Sequence, residues 1–194
     1  MENFGSTGMT GENGERKGSI TGLADKLELL APAGSMRPFE TALRFGADAV
    51  YCGAKQYGLR AQANNFGEQE LAEAVRLAHD AGAQLNLTLN IFAFDGDLAG
   101  MVKTAQMARE IGVDAAIVQD LGAARIAKQR FPELTLHAST QMTVNNAQGA
   151  KLLGGLGFTR VVPARECSLE ELRRMADTGV EIEAFAHGAL CVGV

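Results

Sequence analysis

Three clusters in this sequence carry side chains able to do chemistry. Glu183-Ala-Phe185-Ala-His187-Gly188-Ala-Leu-Cys191 places an imidazole, a glycine and a thiol within five positions. A neighbouring imidazole favours the thiolate, so His187 and Cys191 could act as a nucleophilic pair. As metal ligands they are incomplete, because zinc and iron–sulfur sites take about four. His137-Ala-Ser139-Thr140-Gln141 is the second cluster. It reads either as a ligand-contacting rim or as a polar strand end that satisfies its own loop. A hydrolase triad there is the weaker version, since no G-x-S-x-G elbow is present. Arg165-Glu166 is the third. Its guanidinium could grip a carboxylate or phosphate, or pair with a carboxylate of this chain.

These clusters fall at the ends of short apolar runs. The runs are Leu27–Ala33, Ala49–Gly53, Gln84–Asn90, Ala115–Gln119, Thr135–Ser139, Arg160–Pro163 and Ile182–Ala186. Mostly continuous rather than alternating, they suit strands covered on both faces. Amphipathic stretches separate them. Asp97 to Ile111 puts Leu98, Met101, Val102, Ala105 and Ala108 on one stripe. Helix starts are expected at Asn65-Phe-Gly-Glu68 and at Ser168-Leu-Glu-Glu171, the latter a capping box. Asn145 and Asn146 are placed to cap the next helix or to reach the rim. Gly46, Gly82, Gly112, Gly157 and Gly179 each stand just before a strand, where a left-handed residue releases a helix.

A repeated β-α unit with short connections implies an α/β fold with a parallel sheet. An open doubly wound sheet and a (β/α)8 barrel both fit that pattern. No G-x-G-x-x-G follows the first strand, and polar residues cluster at many strand ends: Asn90, Gln119-Asp120, His137 to Gln141, Arg165-Glu166 and His187. A barrel gathers such ends on one face. The expectation is therefore a TIM-barrel-like fold with seven of eight strands, cut after the seventh.

Composition narrows the function classes. Of 194 residues, 46% are hydrophobic, and the formal net charge is −5. That balance gives no global pull toward nucleic acid or anionic membrane. No apolar run approaches the roughly 18 residues of a membrane span, and residues 1–22 lack a signal-peptide pattern. Three cysteines with no C-x-x-C suggest reduced thiols in a cytoplasmic setting. Cys52, in an apolar run, is expected to fill space. Cys167, at a helix start, is also read as structural, with some claim to a lowered pKa. His79 is read as a solvated helix residue. Residues 1–25, rich in Gly, Ser, Thr and Asn, read as a disordered extension, and residues 26–194 as the partial barrel domain.

The motif ending at Cys191 resembles that of the peptidase U32 family of bacterial collagenase-like proteins. Leu29-Leu-Ala-Pro-Ala-Gly34, Asp48-Ala-Val-Tyr-Cys-Gly53, His137-Ala-Ser-Thr-Gln141 and Arg165-Glu166 are similar to the same family, in the same order. The resemblance implies a TIM-barrel-like catalytic domain. It also implies either collagen-degrading peptidase activity or oxygen-independent hydroxylation of tRNA or rRNA pyrimidines or of ubiquinone precursors. Hydroxylating members hold a [4Fe-4S] cluster on four cysteines, and prephenate serves some as hydroxyl source. Cys191 matches the first of those ligands. The family's motif continues to a second cysteine, where this sequence reads Val192-Gly193-Val194.

The first expectation is thus the N-terminal part of an iron–sulfur-dependent RNA hydroxylation enzyme. His137, Gln141, Arg165, Glu166 and His187 would contact substrate, and Cys191 the metal. A U32 peptidase acting on a peptide is the alternative, and an inactive fragment of either the third. No H-E-x-x-H and no nucleophile elbow support proteolysis. The open edges of an incomplete barrel would invite oligomerisation.

Overall fold

The structure, a computed structural model, describes residues 27–55 and 65–188. The N-terminal extension and Cys191 lie outside the described residues. Strands and helices alternate: β1 (Leu30–Ala33), α1 (Met36–Arg44), β2 (Ala49–Gly53), α2 (Glu68–Asp80), β3 (Gln84–Leu89), α3 (Asp95–Glu110) and β4 (Ala115–Val118). Then follow α4 (Leu121–Arg130), β5 (Leu136–Ala138), a 3₁₀ turn (Thr140–Met142), α5 (Ala147–Gly155), β6 (Arg160–Val161), α6 (Leu169–Ala176) and β7 (Glu181–Ile182). The described strands form one sheet in sequence order, and every neighbouring pair is parallel.

The helix stops fall where the glycines predict. Gly46, Gly82, Gly112, Gly157 and Gly179 take φ between +73° and +94°, a region that strains any residue with a Cβ. The expected capping box forms as well. Ser168 Oγ accepts from Glu171 N at 3.3 Å, and Glu171 Oε2 accepts from Ser168 N at 2.7 Å. Asn146 caps α5 by accepting from Gly149 N at 2.9 Å, so it serves the helix rather than the rim.

Strand alternation gives the sheet two unlike faces. Val50, Cys52, Leu85, Leu87, Leu89, Ala116, Val118, Leu136, Ala138 and Val161 belong to the buried core that also takes in the helices. Small helical residues, including Ala74, Ala78, Ala105 and Ala108, let α2 and α3 approach closely. The other face carries Asn86, Thr88, His137, Ser139 and Arg160. The strands are therefore apolar toward the helices and largely polar inside, a contrast that the continuous apolar runs concealed.

A single ion pair shows that the sheet is curled. Arg160, opening β6, donates to Glu28, just before β1, at 2.6 and 2.9 Å. Five strand spacings of about 4.8 Å would hold them roughly 24 Å apart in a flat sheet. The sheet must close on itself toward a barrel for these side chains to meet.

The last strand is shorter than the expected Ile182–Ala186. Pairing with β6 covers only Glu181 and Ile182, followed by one bond from Glu183 N to Val161 O at 3.0 Å. Val162 N turns to β5, donating to Ala138 O at 2.9 Å. By alternation, the amide at 163 should donate to β7, but Pro163 has none. The ladder stops there, and residues 183–188 run on as an irregular segment over the sheet's C-terminal mouth.

Candidate active site at the mouth of the sheet

The C-terminal strand ends enclose a cleft of about 200 Å³. β3 and β5 supply Asn90, Ser139, Thr140 and Gln141, and the segments after β6 and β7 supply Arg165 and Phe185. Ser139 Oγ accepts from Asn90 Nδ2 and from Gln141 N, each at 3.3 Å. Thr140 Oγ1 donates to Pro163 O at 3.0 Å, tying the β5 turn to the end of β6. The Arg165 guanidinium lies 3.8 Å from the centre of the Phe185 ring. Such stacking holds the guanidinium flat and leaves its edge N–H groups for a ligand. Arg165 and Phe185 also wall a second hollow of about 180 Å³, which reaches Cys167 and His187.

A polar layer lies deeper. Asn86 is fully buried and His137 is 4% exposed, and neither Asn86 amide atom nor His137 Nδ1 has a protein partner. Burial and the nearby Arg160 charge push the His137 imidazole down to about 4, against the opposing pull of Glu28. His137 is therefore neutral at physiological pH. Glu183 lines the cleft, and burial pushes its carboxyl above the usual range. Its Oε2 stands 3.6 Å from Arg160 Nη1, an ion-pair distance too long for a hydrogen bond. Arg160 is held charged by hydrogen bonds to Glu28 and Glu181.

The expected site residues separate into groups. Gln141 and Arg165 share the cleft. His187 is exposed in the adjoining hollow with Arg165. His137 sits in the buried layer with Arg160 rather than on the rim. Glu166 is exposed and lines neither space. Asn90, one of the polar strand ends expected on this face, lines the cleft, and Glu183 and Phe185 join it without having been among the expected contacts. Period-two counting from the core-facing Ile182 finds Glu183.

Neither described cysteine is poised as a thiolate. Cys52 is buried against the helices, which pushes its thiol up to about 12. Cys167 is also raised, by burial and then by Glu171 and Glu166, contrary to the lowered pKa expected at a helix start. Among the described residues, no group of three or more His, Cys, Asp or Glu could hold a metal ion. These residues do not fit an iron–sulfur cluster, and the ligand implied by resemblance, Cys191, is not among them. His79 sits on α2 with its Nε2 3.0 Å from Asp114, away from the cleft. Among the described residues no helix is long and apolar enough to cross a membrane.

A curled parallel sheet with helices outside and polar strand ends gathered at one mouth defines a TIM-barrel-like α/β protein. Solved structures agree on the fold. A U32 peptidase superposes with a TM-score of 0.65 at 15% identity, covering 95% of this chain and 71% of that one. A deoxyribose phosphate aldolase from Aeropyrum pernix gives 0.57 at 19% identity, covering 73% and 67%. The profile of peptidase family U32 matches residues 34–194, and the chain belongs to that family.

Characterised relatives divide by activity. A tRNA hydroxylation protein P1 from Bacillus subtilis is 37% identical over 88% of this chain and 40% of its own length. A 23S rRNA 5-hydroxycytidine synthase from Escherichia coli is 40% identical over 89% of this chain and 26% of its own. A collagenase from Porphyromonas gingivalis is 33% identical over 86% and 43%. The chain thus spans well under half the length of each of these relatives.

Proposed function

We propose that this chain is the substrate-holding part of an enzyme that hydroxylates a pyrimidine base in tRNA or rRNA. The observation that carries the reading is the cleft itself, where amides and hydroxyls stand beside one stacked arginine and the half-buried Glu183 carboxyl. A pyrimidine edge presents adjacent donors and acceptors, and the Gln141 amide offers both. The Phe185 ring supplies an apolar wall, and the Arg165 edge N–H groups suit a flanking phosphate. The similarity to hydroxylation proteins of both tRNA and rRNA supports the same class of reaction. In this reading Cys191 gives one thiolate to an iron–sulfur cluster whose other ligands come from outside the described residues. Prephenate would supply the hydroxyl group, as the family resemblance implies.

The collagenase similarity supports a peptidase as the second reading. The cleft gives it less. Ser139 Oγ is bonded by the Asn90 amide and not by an imidazole, and His137 lies buried as a neutral ring.

Deleting the gene and measuring hydroxylated pyrimidine nucleosides by mass spectrometry of total tRNA and rRNA tests the proposal. A hydroxylated nucleoside should disappear, return with the wild-type gene, and stay ~10-fold or more reduced with Arg165→Ala, the loss expected for one charged hydrogen bond. Unchanged nucleosides in the deleted strain would remove the hydroxylation reading. Gelatin cleavage by the purified protein would then favour the peptidase.

A further inference from the structure

The loop that leads from β3 into α3 presents two aromatic rings to solvent. Phe92 is 73% exposed and Phe94 76%. Their neighbours Ile91 and Ala93 pack against the core, so the loop alternates between anchored and outward positions. The outward rings are held on a fixed backbone. Phe94 N donates to Asp97 Oδ2 at 3.0 Å, and Asp97 N returns to Phe94 O at 2.8 Å. The loop begins at Asn90, which lines the cleft, and leaves β3 at the sheet's C-terminal end, so the rings follow the cleft in the chain without lining it.

Exposed aromatic rings are costly in water and are often found singly. Two within three positions, on a braced loop beside a polar cleft, need a partner that uses flat apolar faces. Unpaired nucleobases do so, since each has a π-face and stacks on aromatic side chains without regard to sequence. Ordering the loop in advance spares binding the entropy of fixing it.

We propose that Phe92 and Phe94 form a stacking platform for the unpaired nucleotides that flank the target base of a single-stranded RNA segment. This inference rests on the RNA reading above and extends it. The cleft takes one base, and the platform holds its neighbours, so the protein selects a loop or single strand over a duplex.

The test uses the full-length protein and a fluorescein-labelled single-stranded RNA of mixed sequence, read by anisotropy beside a duplex of the same sequence. Stacking of one base is typically worth about fivefold to a hundredfold in affinity. Phe92→Ala/Phe94→Ala should therefore weaken single-strand binding at least ~10-fold, with little change in duplex binding or melting temperature. Phe45→Ala is the control. That ring is 81% exposed, but it follows α1 at the opposite end of the sheet, and its loss should leave RNA binding intact.

The outcomes separate. If the wild type binds RNA and the double variant binds it equally well, the platform is refuted while the RNA reading stands. If the double variant melts lower with unchanged RNA affinity, the rings pack against the rest of the polypeptide, which also refutes it. If the wild type binds no RNA but binds a gelatin peptide through these rings, the platform and the RNA reading fall together.

Discussion

Removing the Arg160 guanidinium should destabilise the protein more than any other single charge deletion among the described residues. Arg160 is 11% exposed and faces three carboxylates: Glu28 at 2.6 Å, Glu181 at 2.9 Å and Glu183 at 3.6 Å. The Glu181 side chain is 65% exposed, so that pair is screened and contributes ~0–1 kcal/mol. Glu28 and Glu183 are 30% and 17% exposed and would be left facing each other with no cation between them. Breaking such a pair from one side costs ~3–5 kcal/mol, and the partial exposure of Glu28 puts Arg160→Ala near 3, or ~6–12 °C in melting temperature. Arg160→Lys keeps the charge but loses the two-pronged contact, and should fall between the two. Denaturant unfolding of wild type, Arg160→Ala, Glu28→Gln and the double variant gives the coupling directly. A loss below ~1 kcal/mol for Arg160→Ala, or a coupling near zero, would refute a stabilising contact across the sheet.

His137 should make the protein lose stability in mild acid. An unfolded imidazole takes its proton near pH ~6.5, whereas the folded one resists it down to about 4. Between those values the unfolded chain binds the extra proton. The contribution is therefore intact above ~6.5 and drains away as pH falls through the window, by about 3 kcal/mol in all. His137→Gln should flatten the stability profile there, and an unaltered slope between pH 6.5 and 4 would contradict it. Gly154→Ala places a Cβ 2.6 Å from Val180 Cγ2, so it should cost ~1–3 kcal/mol despite a better helix former; a gain in melting temperature would show that Val180, just before β7, yields easily. Cys52, with its thiol held up to about 12, should resist alkylation at pH ~8 until the protein unfolds. Rapid native-state labelling at Cys52, followed by mass spectrometry of the peptides, would show that the helix layer opens easily.

Local chemistry was legible in the sequence, and long-range chemistry was not. The glycine stops, the Ser168 cap and the strand at Ala49–Gly53 depend on neighbours a few residues away, and they fall where expected. Gln141 and Arg165 were legible as cleft residues because barrels gather strand ends. His137 was misplaced because its height within the sheet depends on register with Ile117 and Arg160, which no single strand reveals. Strand alternation from Ile182 turns Glu183 inward, but the Arg160 and Glu28 side chains that surround it come from other strands, which the local sequence does not reveal. The Cys167 thiol departs from the helix-start expectation because burial opposes its ionisation, and Glu171 and Glu166 add to that.

The sequential order of the strands bears on how the molecule is made. Each strand docks on the one synthesised just before it, so the sheet can be laid down as the polypeptide leaves the ribosome, with little waiting for distant partners. The clasp between Glu28 and Arg160 is the exception, joining residues 132 apart. It can form only after six strands exist, and its formation turns an extending ribbon into an enclosure.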